Sequence, residues 1–200
     1  MSTQSKTQSA KVSAKREAIL TAALETFAER GVNGVAVPEI ATHAKVGTGT
    51  IYRYFPSKEA LVNALFMQEK SALAERLSES MEVYTAPKAM FDEFWRRLVA
   101  FARQRPQAFR FLELQDHLPY LDKESRALER RLLVPIAKHQ KRLQEQGVFR
   151  DDIRVEVLMA LIWGAFVNLF KAERGGYLTL SEDDISAARD ACWQLCTRQA

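Results

Sequence analysis

The stretch Val37-Pro-Glu-Ile-Ala-Thr-His-Ala-Lys-Val-Gly-Thr-Gly-Thr-Ile-Tyr-Arg-Tyr-Phe55 holds two short helical patterns separated by a tight break. Pro38 is acceptable in a first helical turn, and Ile40, Ala41 and Ala44 give the first pattern an apolar side two turns long. The chain breaks over residues 44–47, and residues 48–55 then form a second short helix ended by Pro56. Ser57 caps a longer helix that carries Glu59 at its positive end. Ile40, Ala41, Val46, Ile51 and Phe55 have the spacing to pack the short helices together against Ile19, Ala23 and Phe27 of a preceding helix. Thr48, Gly49, Thr50, Tyr52, Arg53 and Tyr54 are left on the other face.

Two short helices joined by a tight turn meet the geometric requirement of a helix-turn-helix, in which the first steadies the second and the second enters a major groove. The free face offers hydroxyls and one guanidinium, which bond phosphate oxygens or base edges, and Gly49 permits close backbone approach. Charge is distributed to match. The net charge is +4, and residues 1–58 carry eight Lys/Arg against four Glu, leaving 21 charges of each sign beyond them. An excess confined to one end suits a module that grips a polyanion, because Lys and Arg that neutralise phosphates release condensed counterions.

Composition bounds the rest. With 47% hydrophobic and 27% charged residues, a 200-residue chain buries a proper core without disulfides or metal. Two cysteines, Cys192 and Cys196, are too few for a secreted disulfide framework, and no signal-peptide pattern opens the chain, so a cytoplasmic location is expected. The longest apolar run, residues 157–167, falls short of the ~20 residues a membrane span requires and reads as a buried helix. His43, His117 and His139 form no metal-ligand spacing, and there is no phosphate-cradling Gly loop, HExxH or GxSxG pattern. Neither an enzyme nor a cofactor is expected.

Residues 1–12 are polar, small and non-periodic, and read as a flexible arm; helical periodicity starts after Ser13, a plausible N-cap, and Gly31 stops it. Beyond residue 60 the pattern stays helical. Helices are expected near residues 57–83, 88–104, 106–116, 122–146, 152–174 and 181–197, with Pro135 kinking the fourth of them. The fold class is therefore all-α: a three-helix N-terminal domain followed by a larger helical bundle.

Phe27-Ala-Glu-Arg-Gly31, Ile40-Ala41, Ala44-Lys-Val46, Gly49-Thr-Ile-Tyr-Arg-Tyr-Phe55 and Ser57-Lys-Glu-Ala-Leu61, at these spacings, resemble the tetracycline-repressor (TetR) family over the first third of the chain. The resemblance implies a DNA-binding domain over residues 13–58 and a variable helical ligand-binding and dimerisation domain over 59–200. It also implies a homodimer through the last two helices and, commonly, repression of a double-stranded operator relieved by a small effector. By similarity, Thr48, Gly49, Thr50, Tyr52, Arg53 and Tyr54 match DNA-facing positions, and Lys58 matches the phosphate-holding lysine that opens the fourth helix. Thr42 matches a second-helix position facing the DNA backbone. Three residues depart from the pattern. Ala36 replaces a capping Thr or Ser, at a cost of about 1 kcal/mol unless Glu39 compensates. Lys45 replaces Gly in the turn, where it gains a charge near phosphate and is strained if the position needs φ > 0, and Gly47 replaces a capping Ser. Arg53 is the first choice for a base-edge contact, while Tyr54 reads equally as half-buried core.

In the C-terminal half, Phe91, Phe94, Trp95, Phe101, Phe109, Phe111, Trp163, Phe166 and Phe170 read first as core. This many aromatics also suffice to line a cavity between helices. The expected ligand set is Phe91, Trp95, Phe109, Trp163, Phe166 and Phe170 with Arg110, Glu113 and His117, the last three on one side of a helix, around an apolar or amphipathic organic effector. Ala160, Gly164 and Asn168 on one helix, with Ala188, Cys192 and Leu195 on the last, are the expected dimer faces. Cys192 and Cys196 read as small hydrophobes, with a redox or metal role the alternative. A helical adaptor for protein contacts is the remaining rival.

Overall fold

The computed structural model describes residues 3–79 and 83–197. Met1 and Ser2 of the expected arm, and residues 80–82 near the expected end of the fourth helix, lie outside them. Within them the protein is all-α. The elements are α1 (Thr3–Arg30), α2 (Val37–His43), α3 (Thr48–Tyr54), α4 (Lys58–Ser78), α5 (Pro87–Gln104), α6 (Pro106–Phe109), α7 (Lys123–Glu145), α8 (Val155–Arg174) and α9 (Glu182–Cys196). A π turn, Arg110–Leu114, follows α6, and a 3-10 turn, Leu118–Tyr120, precedes α7.

Two expectations need correction. Helix α1 starts at Thr3, so most of the expected arm is helical. No Gly or Pro precedes Gly31, and adding polar residues to an existing helix costs little once it is nucleated. The helix expected over residues 106–116 is α-helical only to Phe109 and then widens into the π turn. Helix α7 runs on through Pro135, which lies on its exposed side together with Arg131, whose carbonyl Pro135 has no N–H to serve.

The chain folds as two compact units, Met1–Ser71 with Arg105–Arg126, and Ala72–Gln104 with Ala127–Ala200. The first therefore extends past the expected boundary at residue 58, taking most of α4 and the whole α6 segment. Its core joins Ile19, Phe27, Ile40, Ile51 and Phe55 to Leu61, Leu65, Phe66 and Phe111, all at most 3% exposed. Phe27 and Phe111 stack with centroids 6.2 Å apart. Gly31, at φ +74°, ends α1 by donating its N–H to Phe27 O at 2.9 Å.

Hydrogen bonds lace residues 115–125 onto this unit. Gln115 Nε2 donates to Ala28 O at 3.1 Å, and Tyr120 Oη donates to Asn33 Oδ1 at 2.6 Å. Buried Asn63 of α4 uses both ends of its amide. Nδ2 donates to Glu59 O and Tyr120 O, both at 2.8 Å, while Oδ1 accepts from Asp122 N at 2.9 Å and from the fully buried Ser125 Oγ at 2.7 Å.

In the second unit α5 and α8 pack on α9. Trp95, Leu98 and Phe101 of α5, Leu158, Ile162, Phe166 and Phe170 of α8, and Ile185, Cys192 and Cys196 of α9 form its centre. Ser181 caps α9: its Oγ accepts from Asp184 N at 3.1 Å. By length and composition α8 is apolar enough to cross a membrane, yet it buries one side only. Val157, Ala160, Leu161 and Asn168 stay exposed, which corrects the expectation of a buried helix. On α9, Cys192 is buried in the core, which removes it from the expected face, while Ala188 and Leu195 are half-buried and Ala187, Ala191 and Gln194 are exposed. Burial pushes both thiols up, Cys196 to about 12, so neither presents the thiolate a redox sensor needs.

Candidate nucleic-acid interface

Helix α3 is mounted on two buried side chains, Ile51 and Phe55, which press it onto the first unit's core. Its C-terminal end is further fixed by α1, where the Arg16 guanidinium lies 5.4 Å from the centre of the Phe55 ring. Helix α2 lies between, packed on both α1 and α3. Ala36 supplies no side-chain cap for α2, but Glu39 compensates as its position allows. Its Oε1 accepts from Ala36 N at 2.8 Å and its Oε2 pairs with Arg30. The Ala36 bond, then Arg30, hold the Glu39 carboxyl below its ordinary range. His43 Nε2 meets Glu25 Oε2 at 2.6 Å, a second link from α2 to α1. Ser57 caps α4 as expected, its Oγ accepting from Ala60 N at 3.2 Å.

All nine residues expected to meet DNA fall on α2, the turn, α3 and the first residue of α4. Thr42, Lys45, Gly49, Tyr52 and Arg53 are exposed; Thr48, Thr50, Tyr54 and Lys58 are half-buried. Thr42 Oγ1 bonds back to Pro38 O at 3.0 Å. A Cβ added at Gly49 would meet nothing within 4 Å, so open space lies over the first turn of α3. Among the described residues, Arg53 and Lys45 pair with no carboxylate. Lys58 places its ammonium 5.7 Å from the Tyr120 ring centre, a neighbour that sequence spacing gave no means of finding. Lys45 has φ +54° and is the one non-glycine residue at positive φ among those described. The glycine-like turn position is therefore real, and a lysine occupies it.

The nine residues expected to meet an effector divide between the two units. Phe109, Arg110, Glu113 and His117 belong to the first, and Phe91, Trp95, Trp163, Phe166 and Phe170 to the second. Arg110, Glu113 and His117 do not share a helix face, because the winding changes at Arg110 and stops at Leu114. Phe109 is core, and Arg110 is half-buried. Glu113 approaches Lys70 at 3.5 Å. His117, 4% exposed, lies between the rings of Phe66 and Phe111 at 5.2 and 5.3 Å. In the second unit, Trp95 and Phe166 meet edge to face at 5.5 Å, with Phe91 6.3 Å from Trp95 and Phe170 and Trp163 5.0 and 6.1 Å from Phe166.

Comparison with known proteins agrees with this geometry. Residues 19–65 match the family described as bacterial regulatory proteins, tetR family, and residues 66–197 match the tetracyclin repressor-like C-terminal domain. Over 99 residues the chain is 40% identical to the HTH-type transcriptional regulator RutR of Escherichia coli, a match covering 50% of this chain and 46% of RutR. The match thus spans about half the length of that relative. A TetR family transcription regulator from Marinobacter aquaeolei superposes with a TM-score of 0.82 at 20% identity, over 94% of this chain and 97% of that one. A TetR family protein from Vibrio parahaemolyticus gives 0.74 at 26% identity, over 92% and 100%. With the family patterns matched from residue 19 to residue 197 and a helix-turn-helix built as they require, this chain belongs to the tetracycline-repressor family.

Proposed function

We propose that the protein is a cytoplasmic, sequence-specific DNA-binding transcriptional regulator, a dimeric repressor released from its operator by a small apolar or amphipathic effector. The observation that carries this reading is the outward face of α3: Tyr52 and Arg53 exposed and held rigidly by Ile51 and Phe55 beneath them. Arg53 reads a base edge, with guanine O6 and N7 the natural partners of a guanidinium. Thr48, Thr50, Tyr52 and Tyr54 supply hydroxyls, Gly49 admits the DNA closely, and Thr42, Lys45 and Lys58 hold phosphates.

Dimerisation uses α8 and α9, whose exposed faces carry Val157, Ala160 and Leu161, and Ala187 and Ala191. Two recognition helices then enter successive major grooves of a near-palindromic operator. Helix α4 begins at Lys58 and contributes residues to both units, so an effector that repositions it changes the spacing of the two readers. Only an effector with different affinities for the two arrangements shifts the balance. The effector's site is the aromatic cluster of the second unit.

Lys45→Gly separates the two consequences of that residue's backbone. Relief of the left-handed strain raises the unfolding free energy by about 1 kcal/mol in urea titration. Removal of the ammonium from its phosphate weakens DNA binding and makes the log–log salt dependence shallower by about 0.9 for each phosphate no longer neutralised. The overall reading is tested by mobility shift against the DNA flanking the protein's own gene, at two salt concentrations and with unrelated DNA as competitor. Tight, competitor-resistant, salt-weakened binding is the expected result; binding that unrelated DNA abolishes as readily as the flanking DNA argues for a helical adaptor instead.

A further inference from the structure

Trp95 is 2% exposed, and among the described residues its Nε1–H has no hydrogen-bond partner. An indole nitrogen donates and cannot accept. Left unpaired in a core, such a donor forfeits its bond to water without replacement, so each buried orphan in a native structure calls for an explanation. The surroundings of Trp95 supply one. Phe91 and Phe166 lie against its ring, and Phe166 joins it to Trp163 and Phe170. An apolar wall with one polar group in it has the composition of a small-molecule site.

Charge narrows the ligand class. Every charged side chain of α5 is matched within the second unit. Lys88 meets Asp92 and Asp190 at 2.5 and 3.0 Å, Arg96 and Arg97 meet Glu93 at 2.7 and 2.6 Å, and Arg103 meets Glu173 at 2.7 Å. The one surplus cation, since Arg96 and Arg97 share Glu93, is Arg96, whose side chain is 66% exposed, so the less exposed charges on the helix that carries Trp95 are already paired. We infer that the indole N–H of Trp95 is the polar anchor of the effector subsite, and that it takes an uncharged, largely apolar ligand through one acceptor oxygen, as in a ketone, ester or amide. This rests on the effector reading above and adds the chemistry of the ligand to it.

The test uses the 15N-labelled full-length chain. Its three tryptophans give three indole cross-peaks, and the one missing from Trp95→Phe belongs to Trp95. The probes are acetophenone, ethylbenzene, which keeps the skeleton and lacks the oxygen, and benzoate, which adds a charge. Acetophenone is expected to move the Trp95 indole proton downfield saturably and to bind about tenfold more tightly than ethylbenzene, with benzoate weaker than both; in Trp95→Phe the tenfold preference falls to about one. Equal binding of acetophenone and ethylbenzene with the Trp95 peak unmoved would overturn the anchor while leaving the aromatic site standing. Gln140 Oε1, buried on α7 without a partner among the described residues, sets the other control. A ligand-free Trp95 proton already at a hydrogen-bonded position, returning upfield in Gln140→Leu, would show the two groups satisfying each other and would also overturn it. If neither neutral probe perturbs the second unit, the effector reading and this inference fall together.

Discussion

Asn63→Ala lowers the unfolding free energy by about 3 kcal/mol, the largest stability loss expected from any single polar truncation in the first unit. The side chain is 6% exposed and joins four partners, two of them backbone groups at the entry to α7 and one the Oγ of Ser125, itself 0% exposed. Removing the amide saves no solvation, because it was already out of water. It strands the buried Ser125 Oγ and takes the protein partner from the part-buried Tyr120 O and Asp122 N, and a stranded buried group costs about 1–3 kcal/mol where water cannot reach it. Water entering the small cavity offsets part of that loss, which sets the total near the lower end of the sum. Asn63→Asp keeps the acceptor toward Asp122 N and Ser125 Oγ, loses both Nδ2 donations and buries a charge, so it is no rescue. Urea titration monitored by far-UV circular dichroism reads the difference; a loss below about 1 kcal/mol would mean that residues 120–125 are held chiefly by Leu121 and the other apolar contacts.

Arg53→Ala reduces discrimination between operator and mismatched DNA by about 10- to 100-fold, the roughly 1–3 kcal/mol of one bidentate base contact. Stability should be unchanged within about 0.5 kcal/mol, because Arg53 is exposed and pairs with no carboxylate among the described residues. Arg53→Lys does not restore the preference, since an ammonium lacks the planar fork that matches guanine. The distinction from a phosphate contact lies in the pattern. Loss of a phosphate contact weakens all sequences alike and flattens the salt dependence, whereas loss of a base contact relaxes one position of each half-site. Anisotropy titrations against matched and singly mismatched duplexes separate the two; unaltered discrimination would assign Arg53 to the backbone.

The head of the molecule was legible because its signals are local. Pro56 and Ser57 mark the end of one helix and the cap of the next, and Ile51 and Phe55 recur at helical spacing, so chain order alone fixes which face of α3 is free. At Lys45, which stands where a glycine is usual, the sequence raised the question of positive φ, and the backbone has it. What failed was non-local or degenerate. Ser13 has the chemistry of an N-cap, yet nothing before it forbids a helix, and α1 runs back to Thr3. The attachment of residues 105–126 to the first unit depends on bonds such as Gln115 to Ala28, spanning 87 positions, for which neither residue type is diagnostic. The π turn displaced Glu113 and His117 from the shared face that a regular helix would have given them. On α9, apolar periodicity marked Cys192 as part of an outward face, yet Cys192 is buried, because spacing shows which residues share a side of a helix and not which side meets the core.

On the function proposed above, the exposed side of α3, presented twice by a dimer, reads sequence. Selection of bound duplexes from a random pool tests it directly, because the protein itself picks the operator out. Enrichment of one two-fold symmetric site is expected, its half-sites centred about one helical turn of DNA apart, with preference at a symmetric pair of positions lost when the pool is selected by Arg53→Ala. A bound pool with no enriched sequence would contradict it.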